Sequence, residues 1–460
     1  MGPPAGGAVV LLVLMGSALA GCDGASSPAP GPIQRIVLVS LDTLRPDHLG
    51  VYGYARETSP RIDAFAARGF VFDRALAPAP NTPPSQMAMM TSLYPARHGF
   101  TGNGDRLAPG IETLAERLRA QGFSTGGFVD GGYLNAAFGF GRGFLTYDDR
   151  GGGLAGILPR ALRWMEAQGE DSFFLFLHTY DIHAPYVSPP PFAGMFHDEP
   201  YTGDLVPTVE RLDELFLERA QLSPEDMQHL VDSYDEGIRY TDTQLGRFFD
   251  RLEEMGRLED TLVILTSDHG EEFGEHGSLI HWQLYFQPNL RVPLIVRPPG
   301  GVPGPIRVRE QAELIDVLPT LLDWSDAPPL AVAQGRSLLP ALRKMQGEGE
   351  PSIDRSDLER AAFGWWPDPD QLPLRSVVLD DHQLIFDDYA PGRDQLYDLA
   401  ADPMALTDLA SERPELVARL RKLGRAGMLS SPPLRDGDGD TELILDPGIL
   451  EELRALGYER

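Results

Sequence analysis

Two apolar runs, each ending on an acid, restrict the folds open to this chain more than any other feature. Ile36-Val37-Leu38-Val39-Ser40-Leu41 delivers Asp42, and Thr261-Leu262-Val263-Ile264-Leu265-Thr266-Ser267 delivers Asp268-His269-Gly270. Runs this continuously aliphatic lack the alternation of a half-exposed sheet and read as strands covered on both faces. In open α/β sheets ligands bind beyond the carboxyl ends of such strands, so both acids are site candidates. Residues 125–129 and 172–177 read as further short buried strands. Helical patterns lie between the strands. Ser59-Pro60 starts one that Gly69 closes, residues 111–120 form another before Gly122, and Ser223-Pro224-Glu225-Asp226 opens a long one toward Met255. The alternation predicts an α/β domain over residues 35–325, with a central, largely parallel sheet sandwiched by helices.

Beyond residue 325 the pattern changes to short amphipathic pieces broken by Pro and Gly, which predicts a smaller α+β subdomain over residues 326–460. Val377-Val378-Leu379 and Gln383-Leu384-Ile385-Phe386 read as strands of a small antiparallel sheet, followed by a helix over 414–423. Residues 184–222 are Pro-rich and aperiodic, which predicts a long excursion over the strand ends. Asp436-Gly437-Asp438-Gly439-Asp440 has the look of a calcium loop, but the flanking helices and terminal Glu of an EF-hand are missing.

With 39 basic and 68 acidic residues the formal charge is −29, which argues against a nucleic-acid partner and predicts repulsion from anionic lipid surfaces. The single cysteine, Cys22, excludes an intrachain disulfide framework. It follows an apolar run at residues 8–20 and the sequence Leu19-Ala20-Gly21, and it precedes a Ser/Pro/Gly-rich stretch. This resembles a bacterial lipoprotein signal, although residues 1–7 lack the usual Lys or Arg. The expectation is a signal peptide over 1–21, lipidation of Cys22, a tether over 22–34, and an enzyme held at a membrane on its extracytoplasmic side.

Residues 81–99 carry the third element of a site. Pro83 and Pro84 pre-set a first helical turn, and residues 87–93 supply an apolar helix, so Thr82 belongs near a positive helix end. Read locally, Thr82 is either an N-cap or a hydroxyl presented to an anionic ligand. Asp42, Thr82, Asp268 and His269 together make a four-ligand set for a divalent metal such as Ca, Mn, Zn or Mg. A cation there would acidify the Thr hydroxyl and neutralise charge on an ester under attack.

Several separated motifs, in order, resemble the sulfatase family of the alkaline phosphatase superfamily. They are Ser40-Leu41-Asp42-Thr43-Leu44-Arg45-Pro46-Asp47-His48, Thr82-Pro83-Pro84-Ser85 with Tyr94-Pro95-Ala96-Arg97-His98-Gly99, Thr266-Ser267-Asp268-His269-Gly270-Glu271, Gly274-Glu275-His276-Gly277, Arg291-Val292-Pro293 and Gln395-Leu396-Tyr397-Asp398-Leu399. The resemblance implies a metal-dependent hydrolase of sulfate or phosphate esters, with a small-molecule, glycan or lipid-head-group substrate. It also implies departures. Thr82 stands where the family carries the Cys or Ser that becomes formylglycine, Gln86 stands at the signature Arg, His269 replaces an Asn, and His281 falls at the position of a sulfate-gripping Lys. The chain's only lysines, Lys344 and Lys422, lie outside these motifs. A Thr sulfate ester lacks the exit that an aldehyde hydrate provides, whereas a Thr phosphate ester yields to in-line water attack. Thr82 is therefore expected as nucleophile, with His183 and His281 as further catalytic residues binding ester oxygens or protonating the leaving group. Asp181, His183 and His281 offer a second metal site as an alternative, and Arg45 and His276 are weaker candidates for support. A phosphodiesterase or phosphonate monoesterase, a head-group transferase, and a non-catalytic binder of anionic glycans remain as other readings.

Overall fold

The structure is a computed structural model. It describes residues 1–2, 33–102, 105–197, 200–218, 221–281, 285–347, 361–365, 374–387, 390, 392–429, 434 and 445–456. Cys22 with its flanking segments and the 436–440 acidic run lie outside the described residues.

Eight strands build the central sheet: β1 (Arg35–Leu41), β2 (Phe70–Phe72), β3 (Ser124–Phe128), β4 (Thr146–Asp148), β5 (Phe173–Thr179), β6 (Leu262–Thr266), β7 (Leu294–Arg297) and β8 (Ile306–Val308). Their order is β8-β2-β7-β6-β1-β5-β3-β4. Neighbours pair in parallel except around β7, which runs against both β6 and β2. β1 is central. Ser40 lies opposite Thr266 on one side and His178 on the other, so the chain segments carrying Asp42 and Asp268-His269 leave the sheet side by side.

Alternation along these strands separates two cores. Ile36 and Leu38 join Phe174, Phe176, Leu262 and Ile264 on one face. Val37, Val39 and Leu41 join Phe173, Leu175, Leu177, Val263 and Leu265 on the other. Each such side chain contributes roughly 1.5–3 kcal/mol on burial, which is why no polar face could be tolerated in these runs. Helices α2 (Thr82–Thr91) and α3 (Leu114–Ala120) cover the first face. Helices α1 (Pro60–Ala66), α4 (Gly153–Gln168) and α6 (Pro224–Glu254) cover the second. β3 carries Gly126 and Gly127 in its interior because aromatics press on it. A Cβ would fall 2.7 Å from Trp164 at the first and 2.6 Å from Tyr147 at the second.

The sequence expectation of a helix-covered, largely parallel sheet is met, with instructive differences of detail. The Ser59 side chain does not cap α1. Asp242 on α6 does, accepting from the Arg61 and Ile62 amides at 2.9 and 2.8 Å. α3 starts at Leu114, where Thr113 and Glu116 form a capping box. The excursion over 184–222 contains a helix of its own, α5 (Val209–Glu218), which the proline content concealed. The second sheet is antiparallel, as expected, and has four strands: β9 (Ala362–Trp365), β10 (Leu374–Leu379), β11 (His382–Asp387) and β12 (Gln395–Asp398). Helix α7 (Pro414–Leu429) packs Leu420 against Val377 and Phe386 of that sheet and runs beyond the predicted 414–423. Among the described residues, no helix is long and apolar enough to cross a membrane.

Candidate active site

Thr82 owes its place to two side-chain tethers along α2. Gln86 Nε2 donates to Ser40 Oγ on β1 at 2.7 Å, and Ser85 Oγ donates to the Asp268 carbonyl at 2.6 Å. The helix start is thereby pinned to both strand ends that carry the acids. Asn81 occupies the N-cap position and Thr82 is the first helical residue, so the N-cap reading of Thr82 does not hold. Its hydroxyl instead donates to Asp42 Oδ2 at 3.1 Å and lies 3.2 Å from His269 Nε2. His269 Nδ1 is 2.9 Å from the Gly270 carbonyl, which can only accept. That bond fixes the proton on Nδ1 and leaves Nε2 as an acceptor facing the threonine.

Asp42, Thr82, Asp268 and His269, named together from the sequence, thus meet in space, and all four are fully buried. A fifth residue joins them. His178 on β5 is also fully buried, with Nε2 3.3 Å from Asp42 Oδ2. The Asp42, His178 and Asp268 ligand atoms lie within 4.8 Å of one another. Asp42 Oδ1 and Asp268 Oδ2 are buried with no hydrogen-bond partner. Burial, and then the nearby Asp268, holds the Asp42 carboxyl well above the usual range, while burial draws His178 down to about 4. Two buried, unsatisfied carboxylate oxygens beside the imidazoles of His178 and His269 are costly alone and form a fitting donor set for a divalent cation. Thr43, next to Asp42, is a β-branched residue at φ 58°, held there as Tyr234 donates to its carbonyl at 2.7 Å. Strained backbone of this kind collects at functional sites.

The second group of histidines borders the first. The His281 ring lies 4.5 Å from that of His269 and 5.1 Å from that of His183. Glu271, fully buried, is 2.9 Å from His281 Nδ1 through Oε1 and accepts from the Tyr186 hydroxyl at 2.9 Å through Oε2. Burial raises Glu271 to about 7 and lowers His281 to about 4 and His183 to about 3. His183 Nδ1 sits 2.6 Å from the Ala184 carbonyl, so its one proton is already engaged. The remaining candidates are used elsewhere. Asp181 accepts from the Leu154 amide at the start of α4. Arg45 pairs with Asp47 and Glu275, and His276 bridges Glu272 and the Ala405 carbonyl.

Known proteins place this geometry in context. The family model described as Sulfatase matches residues 34–327, and one described as N-sulphoglucosamine sulphohydrolase, C-terminal, matches 274–423. The chain is 30% identical over 300 residues to the multifunctional alkaline phosphatase superfamily protein PehA of Trinickia caryophylli, covering 57% of this chain and 56% of that one. It is 26% identical over 415 residues to the choline-sulfatase of Rhizobium meliloti, covering 76% and 77%. Its fold matches the phosphonate monoester hydrolase of Agrobacterium radiobacter with a TM-score of 0.69 at 23% identity, over 86% of this chain and 96% of that one. With a matched family model spanning most of its length and the buried cluster at the strand ends, the chain belongs to the sulfatase family of ester hydrolases.

Proposed function

We propose that the protein hydrolyses phosphate or sulfate esters with Thr82 as nucleophile, in a site that holds a divalent metal. The observation that carries this reading is the Thr82 hydroxyl itself. It is buried at the start of α2, released from any capping role, and flanked by two acceptors, Asp42 Oδ2 and His269 Nε2. Asp42 Oδ2 can take the hydroxyl proton as the oxygen attacks, which leaves Asp42 Oδ1 and the His269 Nε2 lone pair for a cation. Asp42, His178, Asp268 and His269, with Thr82, would hold the metal, which when bound supplies Lewis-acid stabilisation of the oxygen anions. His281 and His183 line the adjacent wall, Glu271 fixes the His281 ring through Nδ1, and His183, whose proton is held by the Ala184 carbonyl, presents Nε2 as an acceptor. Loss of the Thr82 proton and attack at phosphorus or sulfur expel the alcohol and leave an ester on Thr82. Water then cleaves that ester, returning the hydroxyl and releasing phosphate or sulfate. Phosphorus is the easier centre, because a Thr sulfate has no exit other than attack at sulfur. The phosphonate and sulfate esters named for the relatives are substrates of those proteins and the first to try here. A lipidated Cys22 would place this chemistry outside the cytoplasm. Loss of palmitate-analogue labelling in Cys22→Ser checks that placement.

Purified protein supplied with Mn, Zn, Mg or Ca is assayed on aryl sulfate, aryl phosphomonoester, phosphodiester and phosphonate ester substrates. The expected result is metal-dependent turnover with a Thr82-modified peptide detectable by mass spectrometry after acid quench. Undiminished turnover by Thr82→Ala would overturn the assignment.

A further inference from the structure

A second concave site lies under the 184–222 excursion. A cavity of about 490 Å³ is bordered by Tyr186, Ser188, His197, Tyr201, His229 and Glu236 among others, and none of the Asp42–His269 cluster lines it. Its polar groups are organised from one end. The Glu236 carboxylate is only 4% exposed, and its two protein contacts, the Phe196 amide and His197 Nδ1, both end on Oε1. A carboxylate accepts, so His197 carries its proton on Nδ1 and presents Nε2 as an acceptor. That Nε2 is 2.8 Å from His229 Nδ1, so His229 donates there and keeps Nε2 as an acceptor. The Tyr201 ring stacks on His229 at 3.8 Å with the planes 3° apart, which holds the imidazole in place. Ser188 Oγ is buried with no hydrogen-bond partner.

The relay therefore ends in unused acceptors, and the ligand that satisfies it must donate. Charge narrows the choice. Among the described residues lining the cavity there is no Lys or Arg, and the nearby Arg56 is spent on Asp232 and Asp235 at 2.8 and 2.7 Å. A buried carboxylate and two tyrosine rings attract a cation and repel an anion. An ammonium is a donor with no acceptor of its own, the complement of this set.

We infer that this cavity is a binding site for a small organic ammonium ion carried on an apolar ring or chain, separate from the ester-cleaving site. The inference does not rest on the role of Thr82. Calorimetric titration of the full chain with benzylamine, benzyl alcohol and benzoate tests it. Benzylamine should bind at least 10-fold more tightly than benzyl alcohol, and benzoate should not bind. Glu236→Gln should erase the preference for the amine. His229→Gln, at a partly exposed helix position, should weaken benzylamine about 10-fold. Thr82→Ala should leave benzylamine binding unchanged. Three equal affinities, no benzylamine binding, an amine preference that survives both cavity variants, or its loss in Thr82→Ala would each overturn the inference.

Discussion

Asp268→Asn separates a metal-holding pair of acids from a merely buried one, because only in the first does added metal remove the variant's advantage in stability. The Asp42 and Asp268 ligand atoms lie within 4.8 Å of each other, away from water. At an effective dielectric constant of about 20, two unit charges at that distance repel by about 3 kcal/mol. Without metal, the variant loses this repulsion, together with an unpartnered buried oxygen, and should be the more stable protein. Unfolding entropy of roughly 2.1 cal/mol/K per residue over residues 32–460 comes to about 0.9 kcal/mol/K, so the midpoint should rise by about 3 °C. With metal at about 100 times its Kd, wild type gains about 2.7 kcal/mol, again about 3 °C. The variant, short of one charged ligand, should gain far less. Differential scanning calorimetry in chelator and then in excess Mn or Zn reads both effects. The gap of about 3 °C between the midpoints in chelator should close in excess metal. A variant less stable than wild type in chelator, with the same metal-induced rise as wild type, would refute the pairing of these acids around a cation.

Thr82→Ala should abolish turnover and lower the melting midpoint by only about 1–3 °C, the cost of one donor lost to the buried Asp42 Oδ2, while Thr82→Ser should retain measurable activity. Gly270→Ala should unfold more readily and lose activity, because a Cβ there falls 1.9 Å from the Pro288 carbonyl and the shift displaces the Gly270 oxygen that orients His269; calorimetry and kcat measure the two. Ser85→Ala leaves the Asp268 carbonyl without its donor and should cost about 1–3 kcal/mol in urea unfolding. Asp242 is raised to about 7 by burial, so the folded chain holds that proton more tightly than the unfolded one. Its stability contribution is present at low pH and is lost as pH rises from about 4 through 7. The difference in unfolding free energy, Asp242→Asn minus wild type, should therefore grow over that window and level off above it.

What was legible in this chain followed from how far each signal reaches along it. β1 and β6 announce themselves because a strand covered on both faces must be apolar at every position, so their ends, Asp42 and Asp268-His269, could be named from the runs alone. Thr82 could be named from its prolines, but nothing local said that the hydroxyl faces Asp42 and His269 and not the helix end. That required knowing that Asn81 takes the N-cap and that Gln86 and Ser85 dock the helix on β1 and the Asp268 carbonyl. His178 escaped for the opposite reason. It sits at the end of Phe173-Phe174-Leu175-Phe176-Leu177, where an imidazole reads as the last residue of a strand, and only the pairing of Ser40 with His178 brings it beside Asp42. The one available hint was chemical: a histidine closing a fully buried strand needs a partner, and a carboxylate or a cation must supply it. The same limit hid the capping of α1 by Asp242, 180 residues away, and the Glu236–His197–His229 relay, whose members belong to a helix and to the excursion above it. Sequence periodicity therefore located strand ends, whereas the chemistry of the ends was set by register and by helix docking, which are properties of pairs of segments that no single window contains.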